Sequence, residues 1–211
     1  MNPHGEPRGT VYGTLLNFRR EWDLWAPRMD QDPYKAAPKA PVLYVKTANT
    51  FNATPQLTLQ DGVTEVTVGA SLGLVMGKDG QPASAVLLND WSVPHASYYR
   101  PPVKFRCRDG YLGVGASLPW AQVDAGALCI RVHINGQPVQ TVDLATLVRP
   151  VAQLLANVGE FMTLQAGDVL MVGTDCLADG TRPLARAGDT VQIGAPGFAP
   201  LVQHLVDGGA A

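Results

Sequence analysis

Proline and glycine punctuate this sequence so densely that a helical bundle is hard to build from it. Seventeen prolines and twenty-two glycines are spread over 211 residues. Each proline removes a backbone donor and each glycine weakens a helix interior. The chain is broken into many short segments, which favours a sheet-rich α+β fold. Candidate strands are GTVYGTLLN (9–17), APVLYVK (40–46), EVTVGASLGLVMG (65–77), SAVLLND (84–90), YLGVGASL (111–118), LCIRVHI (128–134), DVLMVGT (168–174) and DTVQIGA (189–195). Asn135-Gly136 stands between LCIRVHI and QPVQTV. A type I′ hairpin turn selects that pair because both central residues need positive φ.

One helix is marked strongly, in DLATLVRPVAQLLANVGEFM (143–162). Leu144, Leu147, Val148, Val151, Leu154, Leu155, Val158 and Phe161 recur at three- and four-residue spacing and make one apolar face. Pro150 interrupts the run, so the helix either kinks there or starts there with Pro150 in its first turn. A weaker helical period runs through FRREWDLWA (18–26), where Phe18, Trp22 and Trp25 share a face and are expected in the core. The sequence contains no internal repeat and no low-complexity segment.

A hydrophobic content of 46% supports a sizeable core, and the length predicts one domain over residues 10–211 behind a short mobile tail, MNPHGEPRG, over 1–9. That tail lacks the apolar centre of a signal peptide and no run approaches twenty apolar residues, so a cytoplasmic chain without membrane contact is expected. Sixteen basic against eighteen acidic residues excludes a sequence-independent grip on nucleic acid. Cys107, Cys129 and Cys176 form no CxxC, which argues against a zinc site and a disulfide scaffold.

His4, His95, His133 and His204 are scattered singly, without HExxH. GxSxG, a P-loop and a GxGxxG following a strand are all absent, and the Gly-rich VGASLGLVMG (68–77) lacks the lysine of a phosphate cradle. It reads as a buried strand.

The chemistry concentrates in LLNDWSVPHASYYRPPVKFRCRDGY (87–111). Arginine's planar fork suits bidentate capture of carboxylates, so Arg100, Arg106 and Arg108 near Asp90 make a site for a dicarboxylate beside a hard cation. The alternative is an ordinary polar loop in which Asp109 pairs with an arginine and the rest face water. Cys107 is read as a small buried side chain or a reactive thiol.

Several segments in order resemble the fumarylacetoacetate hydrolase family, from about residue 9 to the end. FMTLQAGDVLMVGT followed by RAGDTVQIGAPGFAPLVQHLV is similar to the family's closing run and final hairpin. PYKAAPKAPVLYVKTANT (33–50) resembles its early substrate-side segment, with Lys46 at the family's lysine, and LLNDWS carries its Asn-Asp pair at Asn89 and Asp90. YYRPPVKFRCRDG resembles most the members acting in bacterial 4-hydroxyphenylacetate breakdown, often two fused family domains, of which this chain resembles the amino-terminal half. Those members combine 2-hydroxyhepta-2,4-diene-1,7-dioate isomerase with 5-oxopent-3-ene-1,2,5-tricarboxylate decarboxylase activity. The resemblance implies a mixed β-sandwich or roll with few helices, a small carboxylated 2-oxo or enol acid as substrate, and Mg²⁺ or Mn²⁺ as cofactor. It also implies a homodimer or a heterodimer with a family paralogue.

By that resemblance Lys46, Arg100, Arg106 and Thr174 are the substrate-side residues and Asp90 is what is left of the metal set. Active members carry two glutamates that join the aspartate on the cation, and aligned on Gly77 those positions fall at Gly69 and Ser71. Glu21 falls near the family's histidine and Arg106 at one of its lysines. His95 and Glu65 are the candidates for substitute ligands. Three readings follow: a decarboxylase and isomerase subunit, a non-catalytic structural partner of an active family subunit, and an acylpyruvate-type hydrolase.

Overall fold

The computed structural model describes residues 7–95 and 102–208. Residues 1–6 of the expected tail, and Tyr98, Tyr99 and Arg100 of the charged strip, lie outside the described residues. The strands are β1 (Val11–Leu15), β2 (Val42–Lys46), β3 (Phe51–Asn52), β4 (Gln56–Leu59), β5 (Val66–Thr67), β6 (Ala70–Met76) and β7 (Pro82–Asp90). They continue with β8 (Leu112–Pro119), β9 (Cys129–Ile134), β10 (Gln137–Asp143), β11 (Val169–Met171), β12 (Leu184–Ala185), β13 (Thr190–Gly194) and β14 (Leu201–Asp207). The helices are α1 (Arg19–Met29), α2 (Val103–Arg106) and α3 (Val151–Gly159).

The expected sheet-rich α+β class is what the chain adopts. Seven strands form one sheet in the order β2-β1-β11-β6-β7-β8-β3, and five form another in the order β10-β9-β13-β14-β4. Both sheets are mixed, because β1 pairs with β11, β3 with β8 and β14 with β4 in parallel while their other pairs are antiparallel. Strands β6 and β7 read as unbroken apolar runs because the larger sheet is covered on both faces. Leu72, Leu74, Ala85 and Leu87 point into the core shared with β9, β13 and β14. Val75, Val86 and Leu88 point the other way, into a second cluster with Met29, Val169 and Met171, flanked by Trp22 and Trp25.

The larger sheet is strongly curled. Four strand intervals separate β2 from β7, roughly 19 Å in a flat sheet, yet Tyr44 on β2 donates a hydrogen bond to Asp90 on β7. Gly13 makes the closure possible: a Cβ there would run into the Tyr44 ring, its register partner on β2. The Asn135-Gly136 hairpin forms as expected between β9 and β10, with φ of 52° and 78°.

The expected helix over 143–162 is shorter than its periodicity suggests. Asp143 accepts a hydrogen bond from the Ala145 amide and opens one 3₁₀ turn, and Leu147 then bridges to Phe18 as in a strand pair. Pro150 disfavours helical φ/ψ at Arg149, so α3 begins only at Val151. Leu154 and Val158 are fully buried, but Phe161 lies past the helix end and is 59% exposed. The expected shared face of Phe18, Trp22 and Trp25 is also not formed. Phe18 precedes α1 and enters the main core, whereas the half-buried tryptophans flank the second cluster.

Leu154→Ala is therefore expected to lower unfolding free energy by about 2–5 kcal/mol, and Phe161→Ala by less than about 0.5 kcal/mol. Urea titration of the two variants checks this ordering, and equal losses would contradict the helix boundary.

Candidate functional site

Alternation along β2 turns Tyr44 and Lys46 to the same face, and the curl carries both to the end of β7, where Asp90 sits. Arg106 arrives from α2, a single turn that follows Pro102. The Asp90 carboxylate is fully buried. Lys46 Nζ lies 2.8 Å from its Oδ1, while Arg106 Nη1 and the Tyr44 hydroxyl both donate to Oδ2. Arg106 Nη1 also donates to the Tyr44 hydroxyl at 2.9 Å, and its guanidinium stands 4.8 Å over the Tyr44 ring. Lys46 adds bonds to the backbone carbonyls of Arg106 and, at 2.7 Å, Tyr111.

Electrostatics follow from that geometry. Burial acts to raise the Asp90 pKa, but Lys46 and Arg106, with the bonds from Lys46 and Tyr44, outweigh it and hold the carboxyl below its ordinary value. Burial pulls Lys46 below the usual ammonium range against the pull of Asp90. Burial first, and then Asp90, push the Tyr44 phenol well above its ordinary value.

A second buried ion pair lies beside the first. Arg182 Nη2 donates to Glu21 Oε1 at 2.6 Å and to Thr174 Oγ1 at 3.0 Å. Glu21, on α1, is one of only two buried residues in that helix. Glu21 is marked in the sequence only by falling near the family's histidine and Arg182 by no motif, and 161 positions separate them, so their pairing had no local signal; the period of α1, which places Glu21 among its buried positions, was the nearest clue.

The residues singled out in the sequence separate into two groups. Lys46, Asp90, Arg106 and Thr174 converge on this end of the larger sheet. Arg108 turns away to Gln60 Oε1 at 2.8 Å, and Asp109 accepts from Asn49, with no arginine pairing to it among the described residues. Glu65 pairs with Arg186 at 3.0 Å. His95 stacks on Phe105 and has Nδ1 3.0 Å from the Val93 carbonyl. The half-buried Cys107 donates to the Val45 carbonyl at 3.3 Å.

These residues do not fit a divalent cation. Asp90 is already neutralised by two fixed cations, and a Cβ at Gly69 would collide with the Asp90 carbonyl oxygen. The Ser71 hydroxyl donates to the Gly173 carbonyl at 2.7 Å. Among the described residues no three His, Cys, Asp or Glu side chains come together as metal donors, whereas hard cations take about six oxygen ligands.

A cleft of about 660 Å³ adjoins the two ion pairs, lined by Trp25, Arg28, His95, Arg106 and Arg182 among others. A two-sheet roll carries this charged cleft at the rim of its larger sheet, and solved structures share the roll. Fumarylpyruvate hydrolase from Pseudomonas aeruginosa, in complex with Mn²⁺ and pyruvate, matches with a TM-score of 0.75 at 18% identity, over 95% of this chain and 91% of that one. The 2-hydroxyhepta-2,4-diene-1,7-dioate isomerase from Mycobacterium marinum matches with a TM-score of 0.72 at 20% identity, over 97% of this chain and 77% of that one. At those identities the likeness establishes the fold. Residues 10–206 match the Fumarylacetoacetate (FAA) hydrolase C-terminal family, and the chain belongs to the fumarylacetoacetate hydrolase family. The Escherichia coli 4-hydroxyphenylacetate degradation bifunctional isomerase/decarboxylase is 35% identical over 210 residues, 95% of this chain and 48% of that protein. The chain spans about half the length of the curated relatives it matches.

Asp90→Asn, which strands Lys46 and Arg106 without their counter-charge, is expected to cost about 3–5 kcal/mol at pH 7. Because the folded pKa of Asp90 is depressed, that advantage is present above the ordinary carboxylate value near ~3.9 and is lost as pH falls through the folded value. Urea midpoints of both proteins measured across pH check this; a difference that already vanishes at neutral pH would contradict a charged Asp90.

Proposed function

We propose that this chain is a subunit of the isomerase/decarboxylase of 4-hydroxyphenylacetate (homoprotocatechuate) catabolism. In that assembly it holds no divalent-cation centre of its own and pairs with a family paralogue that carries the cation. The observation behind this reading is the closed Lys46–Asp90–Arg106 cluster, which fills the Asp90 carboxylate from both sides. The pathway is supported by the 35% identity to a protein of about twice this length, which leaves room for a second domain of the same family. The substrates are those of the paired reactions, 5-oxopent-3-ene-1,2,5-tricarboxylate and 2-hydroxyhepta-2,4-diene-1,7-dioate, and the compartment is the cytoplasm.

The role of this chain beside its paralogue is to complete the assembly through a shared interface, and Lys46 acts within it as a structural cation rather than a holder of substrate. A catalytic role of its own is favoured by one observation, that Arg106 and Arg182 line the cleft. The acylpyruvate-type hydrolase reading is weaker, because a hydrolase needs a base that can activate water and Glu21 is committed to Arg182.

Calorimetric titration of the isolated chain with Mn²⁺ is expected to show no stoichiometric binding, and decarboxylation of the tricarboxylate by the chain alone is expected to stay at background. Turnover is expected once a companion subunit with both family glutamates is added. Tight one-to-one Mn²⁺ binding by the isolated chain would overturn the proposal.

A further inference from the structure

The larger sheet carries a second cleft, at the end away from Asp90. Strand β7 starts beside this cleft at Pro82 and ends at Asp90, a span of roughly 27 Å. The cleft has a volume of about 630 Å³, enough to take a bulky organic group. Met76, Trp120, Leu155, Met162 and Leu164 supply apolar walls, and none of the described residues lining it is charged. It shares nothing with the chemistry of the charged cleft.

Phe161 stands at its edge, between Gly159 and Met162 of the lining. Its ring is 59% exposed and is the one exposed aromatic side chain among the described residues. The fold thus leaves an apolar knob and an apolar hole in a single patch. Two-fold symmetry presents the same patch on both partners, so each knob can reach the other copy's hole.

Charge selects the same occupant. A two-fold contact brings a patch face to face with itself, so a patch of one sign repels its copy. Helix α3 has no charged residue over its nine positions. Ala152, Ala156 and Gly159 are exposed on it and small enough to let a second helix come close. Opposite charges stand at its two ends, Arg149 before it and Glu160 after it, and neither has an ion-pair partner among the described residues. Antiparallel packing of α3 on its copy turns Arg149 toward the partner's Glu160, twice per dimer.

We propose that the α3 cleft is the contact face of a homodimer, in which Phe161 of each copy seats in the other copy's cleft and the two α3 helices run antiparallel. A phenyl ring among the Met76 and Met162 thioethers and the Trp120 indole gains directed contact as well as burial. The family resemblance implies pairing but names no face for it. This face is remote from the charged cleft, which it leaves uncovered, so the pairing holds or fails independently of the role proposed for that cleft.

Sedimentation velocity of the full chain between about 1 and 100 µM tests it, with a dimer expected at the upper end and monomer on dilution. Phe161→Asp changes a side chain exposed in the single copy. It is expected to weaken association by at least about thirtyfold, with an unchanged circular dichroism spectrum. Ala156→Arg, on the exposed side of α3, is expected to do the same, whereas Val103→Asp, at a position 57% exposed on α2, leaves association unchanged. Arg149→Glu and Glu160→Arg are each expected to weaken it about fivefold and to restore it when combined. A chain that is monomeric throughout overturns the proposal, as does a dimer that Phe161→Asp and Ala156→Arg leave intact. Charge variants that fail to rescue each other overturn the antiparallel arrangement. A chain that is monomeric alone, yet pairs through Phe161 with the companion subunit, gives this face to that subunit instead.

Discussion

A single buried carboxylate organises the rim of the larger sheet. Asp90 ends β7, a strand covered on both faces, where an unpaired charge costs several kcal/mol. Its partners come from β2, four strands away in the sheet order, and from the one-turn helix α2. Meeting there requires the sheet to close on itself, so the curl of the roll and the neutralisation of Asp90 are one constraint seen twice. Lys46 extends the tie, since it also donates to the carbonyls of Trp91, Arg106 and Tyr111 and fastens the turn before β8.

The substitutions around Asp90 make sense as a set. With glycine at 69 and serine at 71, two negative charges that the family resemblance places beside Asp90 are missing. One carboxylate then faces one lysine and one arginine, already in positive excess. A dication placed among them meets repulsion that a low-dielectric setting strengthens. Gly69 is further fixed by packing: its amide is held by Asn89 Oδ1 at 3.0 Å and its Cβ position is occupied by the Asp90 backbone. Restoring a glutamate there would disturb the pairing of β6 with β7, not merely add a ligand.

Much of this was legible in the sequence, and the exceptions have physical causes. Each of the eight strand candidates contains a strand, because short runs between Gly and Pro rarely do anything else in an apolar setting. The two-residue strands β3 and β12 were invisible, since they exist only through their pairing with β8 and β5. The 143–162 periodicity overran its helix because 3₁₀ and bridging residues can face a core at the same spacing as a helix. In the site, Asp90 and Arg106 lay close enough along the chain to suggest each other. Lys46 entered through the family resemblance, and Tyr44 could have been found from it as its same-face neighbour two residues earlier.

Arg182 and Glu21 show where such reading stops. Helix α1 buries little besides Glu21 and Met29, so it docks partly through an ion pair whose other half lies 161 residues away. Neither member signals the pairing alone: Glu21 is marked only by falling near the family's histidine, and an arginine in a loop is among the most ordinary residues in a sequence. Their meaning is joint, because either one buried by itself would destabilise the fold, while together they are neutral and position a guanidinium at the cleft. The same holds for Asp90 with Lys46 and Arg106. In both cases charge pairing does the work that a bound cation does elsewhere, fixing the geometry of the site, and it does so with groups that cannot dissociate from the chain.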